Sequence, residues 1–162
     1  MLNITPEFEN LVCSTIMTKE DSSDFISQVD MLLKSLGFSD TKVDLTSLEN
    51  SKFTPIFSQL MSEHAEVLED TSILENSLIK LREYVISLAP LELDIPFRPS
   101  EAYKRQLFDW FMNNGFNGFL LKFNLKPEVQ GGLCVSWKGK YFNFGLENVL
   151  SNYIAENKDG IQ

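Results

Sequence analysis

The chain has 162 residues, 43% of them hydrophobic, and a formal net charge of −9. That content suits one ordinary domain or two small ones with real cores, and it argues against general disorder. The acid excess lies in residues 1–90, with 15 acidic and 6 basic side chains against 8 of each in 91–162; such an acidic half repels nucleic acid and suits a basic or amphipathic partner, or simply forms solvated helix faces.

Thr5-Pro6 opens a first helix over 5–18, with proline in its favoured first-turn place and Phe8, Leu11, Val12 and Ile16 on one stripe. Ser22 or Ser23 is expected to cap a second helix over 24–36, whose stripe is Phe25, Ile26, Val29, Leu32, Leu33 and Leu36 and whose stop is Gly37. Residues 38–53 hold Val43, Leu45 and Leu48 on a short helix or a packed loop. Thr54-Pro55 repeats the start signal for a helix over 55–69 with Ile56, Phe57, Leu60, Met61, Ala65 and Leu68 apolar. Ser72 and Glu75 fit a capping box for a helix reaching Leu88, with Leu74, Leu78, Leu81, Val85 and Leu88 at heptad-like spacing. Pro90 marks the boundary.

Beyond it the period changes from helical to two. Leu91, Leu93, Ile95 and Phe97 alternate with Glu92, Asp94 and Pro96, which predicts a strand over 91–97. Ser100 is placed to cap a helix over 101–113, with Tyr103, Leu107, Trp110 and Phe111 inward and Gly115 just past its end. A strand over 119–125 should put Phe119, Leu121, Phe123 and Leu125 on one face and Leu120, Lys122 and Asn124 on the other. Pro127 ends it, because proline cannot donate to a ladder. Gly131 and Gly132 are expected to supply a positive φ or a close backbone approach on the return path. A two-residue Lys138-Gly139 loop sets Trp137 opposite Lys140, Val135 opposite Phe142 and Leu133 opposite Phe144. A last helix over 146–156 carries Leu146, Val149, Leu150, Tyr153 and Ile154. The fold class is therefore α+β: a helical bundle over 1–89, then a small mixed α/β domain over 90–162 in the order β-α-β-β-β-α, with a right-handed crossover if its first two strands are parallel.

Few side chains invite catalysis. His64 is the only histidine and stands on a predicted helix beside Glu63 and Glu66, where an exposed histidine is ordinary. One histidine with Cys13 and Cys134 in unrelated elements gives no metal-type spacing, so no metal or cofactor is expected and both thiols should stay reduced. Gly131-Gly132 lacks the residues of a phosphate loop or dinucleotide fingerprint. Glu92 and Asp94 share one outward strand face, a carboxylate pair on which nothing else converges in the sequence. Phe108, Trp110, Phe111, Phe116 and Phe119 are better core than base-stacking platform, since no basic groove surrounds them. No run reaches the ~20 apolar residues of a membrane span, and the N-terminus lacks a basic–apolar signal pattern.

The run Gly118 to Leu150, GFLLKFNLKPEVQGGLCVSWKGKYFNFGLENVL, reads strand, Pro127-Glu128-Val129-x-Gly131-Gly132, strand, lysine-glycine turn, strand, helix. It resembles the C-terminal signature of the delta subunit of F-type ATP synthases, the oligomycin-sensitivity-conferring protein family, over residues 88–154. The family's Asp-x-Ser step into the last helix reads Asn143-Phe144-Gly145 here. The resemblance implies a non-catalytic connector at the cytoplasmic face of a membrane, or its organelle equivalent. Its helical domain would bind N-terminal helices of the alpha subunits, and its C-terminal domain the peripheral-stalk b subunits. Phe8, Leu11, Val12, Phe25, Val29 and Leu32 are then the candidate partner-binding positions, although the same stripes suit a core. Two other readings stand beside it: an unrelated α+β adaptor that binds an amphipathic partner helix, and a small carboxylate-based enzyme, which would need a pocket with converging acids.

Overall fold

The computed structural model describes residues 5–38, 51–63, 71–129 and 131–144. His64, the segment around Val43, Leu45 and Leu48, and the predicted helix 146–156 lie outside them. The fold is α+β. The chain divides into two compact units, Met1–Leu88 and Ala89–Gln162.

The first unit contains α1 (Pro6–Thr15), α2 (Lys19–Phe38), α3 (Thr54–Glu63) and α4 (Thr71–Ser87). Thr5 caps α1: its hydroxyl accepts the Phe8 amide at 3.2 Å, and Pro6 follows where its missing N–H costs nothing. The start of α2 corrects the expected cap. Thr18 Oγ1 accepts the Asp21 amide at 3.1 Å, while Asp21 Oδ2 accepts the amides of Thr18 at 3.1 Å and Met17 at 3.2 Å. This is a reciprocal capping box with aspartate in the glutamate place. Ser22 and Ser23 therefore lie inside the helix, where Ser23 Oγ donates back to the Lys19 carbonyl at 3.1 Å. Gly37 lies inside it too, since α2 runs to Phe38. Ser72 is likewise a helical residue, because α4 already includes Thr71.

The core of this unit is the set of predicted stripes turned inward. Phe8, Val12, Ile16, Phe25, Val29, Ile56, Leu60, Leu81 and Val85 are wholly buried. Phe25 meets Phe53 edge-on at 5.2 Å and stacks on Phe57 at 5.4 Å, which joins α2 to the start of α3. Asp30 and Arg82 pair at 2.9 Å between α2 and α4. The Cys13 thiol lies 3.6 Å from the Tyr84 hydroxyl between α1 and α4.

The second unit runs β1 (Ala89–Ile95), α5 (Glu101–Asn113), β2 (Phe119–Leu125), β3 (Cys134–Trp137) and β4 (Lys140–Asn143). The sheet order is β2-β1-β3-β4, with β1 parallel to β2 and antiparallel to β3, and β3 antiparallel to β4. β1 begins two residues earlier than the alternation suggests. Pro90 lies within it, opposite Leu120, and Phe97 falls outside it. Ala89 donates to Gly118 at 3.1 Å, so pairing starts before the proline. Ser100 caps α5 through the Tyr103 amide at 3.2 Å, and Gly115 follows the helix at φ +84°.

Two side-chain assignments differ from expectation. The buried stripe of α5 is Phe108 and Phe111, while Trp110 is 53% exposed. Phe108 and Phe111 both meet Phe119, at 5.1 and 6.0 Å, and that contact rotates Trp110 outward. In β2, Phe119, Leu120 and Leu121 are all buried, whereas Leu125 is 53% exposed. Leu125 ends an edge strand at the far end from Phe119, beyond the reach of the aromatic contacts of α5.

Candidate functional site

Three features of the second unit come together around β1, the strand that bonds to both β2 and β3. One is the signature turn. Lys126 donates its amide to the Ile95 carbonyl at 2.8 Å, and Val129 donates to the Lys126 carbonyl at 3.1 Å. Pro127 and Glu128 thus occupy the centre of a tight, exposed turn. Gly131 then sits at φ +55° and Gly132 at φ +140°, conformations that a Cβ opposes.

The hairpin is the second feature, and it has the expected register. Trp137 pairs with Lys140, Val135 with Phe142, and Phe144 donates to the Leu133 carbonyl at 2.9 Å. Lys138 at φ +47° and Gly139 at φ +77° close the two-residue loop with both central residues left-handed, as a primed hairpin turn requires. Phe142 on β4 and Phe144 just past its end stack at 6.4 Å with 17° between their rings.

The third feature is a ladder of charges on the sheet face opposite Leu91, Leu93 and Ile95. Glu92 lies in register with Lys122 and accepts its Nζ at 2.8 Å. Asp94 lies in register with Asn124, accepts its amide at 2.9 Å, and accepts Lys126 Nζ at 2.7 Å. The sequence shows two carboxylates with nothing converging on them; the structure brings three donors to the pair. Pairing the outward residues of two parallel strands one to one would have found two of them. Lys126 lies past the end of β2 and is visible only in the fold.

The electrostatics follow from these contacts. Burial pushes the Asp94 carboxyl up, but the hydrogen bonds from Lys126 and Asn124 and the charges of Lys126 and Lys122 outweigh it and hold it below its ordinary value. The Lys122 hydrogen bond and charge lower Glu92. The bond to Asp94 raises Lys126. Beside them, the Tyr141 phenol is pushed up, chiefly by its hydrogen bond with Cys134. Carboxylates held ionised and matched to lysines are poorly poised as proton donors at neutral pH. What the ladder does is fasten β2 and the turn at Lys126 to the central strand.

In the first unit, Phe8, Val12, Phe25 and Val29 are wholly buried and Leu32 nearly so; Leu11 alone of the six candidate positions is partly exposed. They build the bundle, because the amphipathic stripes close on one another. The large apolar side chains of described residues that this unit turns to solvent are Met31, Ile79 and Ile86. The apolar gap among Leu32, Leu36, Phe57, Leu60, Met61, Leu74 and Leu78 is about 10 Å³, no more than one water needs. An open cleft is lined by Asp24, Ser27, Gln28, Ser51, Lys52 and Phe53, and Ser27, Gln28, Ser51 and Lys52 are already engaged. Ser51 Oγ donates to Gln28 at 2.8 Å, and Lys52 pairs with Asp21.

Among the described residues no group of three His, Cys, Asp or Glu side chains is placed to hold a metal ion, and no helix is long and apolar enough to cross a membrane. No protein-family model matches the chain, and no curated protein matches it.

Proposed function

We propose that this chain is a structural connector of a rotary ATP synthase, joining alpha subunits of the catalytic head to b subunits of the peripheral stalk and performing no chemistry itself. The observation that carries the reading is the segment 126–144. Its Pro127-Glu128 turn, two positive-φ glycines and two-residue hairpin stand in the order of the delta-subunit signature. Division into a helical unit and a separate α/β unit supports it, because such a connector needs two attachment surfaces. The peripheral position on the membrane is part of the same proposal.

On this reading the alpha-subunit helix meets the surface of the first unit rather than its core stripes. Ile79 and Ile86, seven residues apart on the outer face of α4, are apolar anchors flanked by Glu75 and Glu83. A basic amphipathic helix would match them. The test is binding of the purified full-length chain to an alpha N-terminal peptide and to a soluble b C-terminal fragment from the same organism. Both should bind saturably, and Ile79→Asp with Ile86→Asp should weaken the peptide at least tenfold while leaving the fragment unchanged. If neither ligand binds, the connector reading is wrong and an adaptor for some other protein takes its place.

A further inference from the structure

The β3–β4 hairpin carries features that neither the turn nor the charge ladder uses. Residues 131–144 contain no acid and two lysines, Lys138 and Lys140, in a chain of net charge −9. The other lysines described on the sheet or just past a strand end have carboxylate partners: Lys122 has Glu92, and Lys126 has Asp94. Lys138 and Lys140 have none among the described residues. Lys138 instead lies over the Trp137 ring, with Nζ 4.9 Å from the centroid. On β4, at the sheet edge, Lys140 and Phe142 share one face by alternation, and Phe144, just past the strand end, continues it through its bond to Leu133. Phe142 is 42% and Phe144 54% exposed, although they stack on each other. Exposed paired aromatics beside unmatched cations mark a surface built for contact rather than for solvent.

We infer that this face of the hairpin docks an acidic amphipathic helix of a partner protein, with apolar side chains on Phe142 and Phe144 and carboxylates at Lys138 and Lys140. The spacing fits. The two rings are 6.4 Å apart, and residues i and i+4 of a helix are separated by about 6 Å along its axis. Lys140 stands about 7 Å further along the strand, which places a glutamate roughly one helical turn beyond the apolar pair. The charge difference between the units gives direction, since an acidic segment is repelled by the first unit and drawn to the hairpin. The inference rests on the connector reading only for which protein supplies the segment.

The experiment uses the full-length chain and a synthetic alanine- and glutamine-based helix of about five turns, with leucines at i and i+4 and glutamates one turn beyond them on the same face. A second peptide carries lysines in the glutamate places. Binding is read from the backbone amide shifts of residues 137–144, so that capture of the lysine peptide by the acidic first unit is not counted. The glutamate peptide should move these signals and bind there at least tenfold more tightly than the lysine peptide. The preference should shrink with salt and disappear in a Lys138→Glu, Lys140→Glu double variant. Phe142→Ser with Phe144→Ser should abolish the shifts, with unchanged circular dichroism showing that the sheet is intact. Equal binding of both peptides at the hairpin, or no binding of either, overturns the proposal. A dimer that disappears in Phe144→Ser overturns it in favour of a second copy of this chain. Tenfold tighter peptide binding by Leu150→Asp overturns it in favour of residues 145–162 as the occupant. If neither the alpha peptide nor the b fragment binds while the glutamate peptide succeeds, the connector reading falls and this inference stands; binding of both without the glutamate peptide removes this inference alone.

Discussion

Replacing Gly131 and Gly132 one at a time tests whether the signature turn is a backbone device. Gly131 has φ +55°, in the left-handed region where a Cβ crowds the following carbonyl at about 1–2 kcal/mol. Gly132 has φ +140°, well outside the small left-handed region open to other residues, where strain is of order 1–3 kcal/mol. Both residues are exposed, so little packing of a new methyl group offsets the strain. Gly131→Ala should therefore lose about 1 kcal/mol and Gly132→Ala about 2 kcal/mol. Asparagine tolerates the left-handed region, so Gly131→Asn should fall between alanine and the parent. For a unit of this size each kcal/mol shifts Tm by roughly 4–8 °C. The assay is thermal and urea unfolding followed by tryptophan emission, since Trp110 and Trp137 both lie in the second unit. If Gly132→Ala melts with the parent, or if alanine and asparagine at 131 are equivalent, the turn does not depend on these conformations.

Three further outcomes are expected. Phe108→Ala should lose about 3 kcal/mol or more, whereas Trp110→Ser should lose under about 1 kcal/mol, because Phe108 is 4% exposed and Trp110 53%; urea midpoints of the two variants decide it. Ser100→Ala should lose about 1 kcal/mol and Ser100→Gly only a few tenths, since Ser100 accepts the Tyr103 amide at the start of α5; comparable losses in thermal unfolding would show that the cap is not what matters. The folded-state value of Asp94 is lowered, so at acid pH the unfolded state binds the extra proton. Its contribution is therefore full above the ordinary carboxylate value of about 3.9 and is lost as pH falls through the lowered one. Asp94→Asn should be less stable than the parent at pH 7 and approach it toward pH 2, as measured by urea unfolding across pH.

The second unit was the more legible in sequence, for a physical reason. A two-residue turn that needs two positive φ angles fixes a hairpin register locally, so the pairs Trp137–Lys140 and Val135–Phe142 follow from the position of Lys138-Gly139 alone. Capping by Ser100 is local in the same way. Burial is not. Tyr103, Leu107 and Trp110 form as good a stripe as Phe108 and Phe111, and only the position of Phe119 decides which turns inward. The start of α2 is hidden for a different reason: Ser22 and Ser23, nearer the apolar run, are equally good cap residues by type, and only the reciprocal bonds of Thr18 and Asp21 select the earlier start. The Asp94 cluster was half legible, since Asn124 is its register partner but Lys126 comes from beyond the strand.

The division of apolar surface bears on how such a chain would hold two partners. The first unit closes its stripes so fully that Phe8, Val12, Phe25 and Val29 retain no exposure, and among its described residues the outward large apolar side chains are isolated ones on α2 and α4. Single apolar residues on a helix face are ordinary, and alone they give little affinity. On the connector reading, attachment there leans on the acidic surface for encounter and on a few anchors for residence, and it should weaken strongly with salt. The second unit is different. It is neutral overall and leaves Phe97, Trp110, Leu125, Tyr141, Phe142 and Phe144 substantially exposed. Aromatic side chains supply large contact area at little loss of rotamer freedom, so binding there should owe more to apolar burial and respond less to salt. Titrating salt against each partner separately distinguishes these two kinds of attachment. Equal salt slopes for the alpha peptide and the b fragment would contradict the assignment of an electrostatic surface to one unit and an aromatic surface to the other.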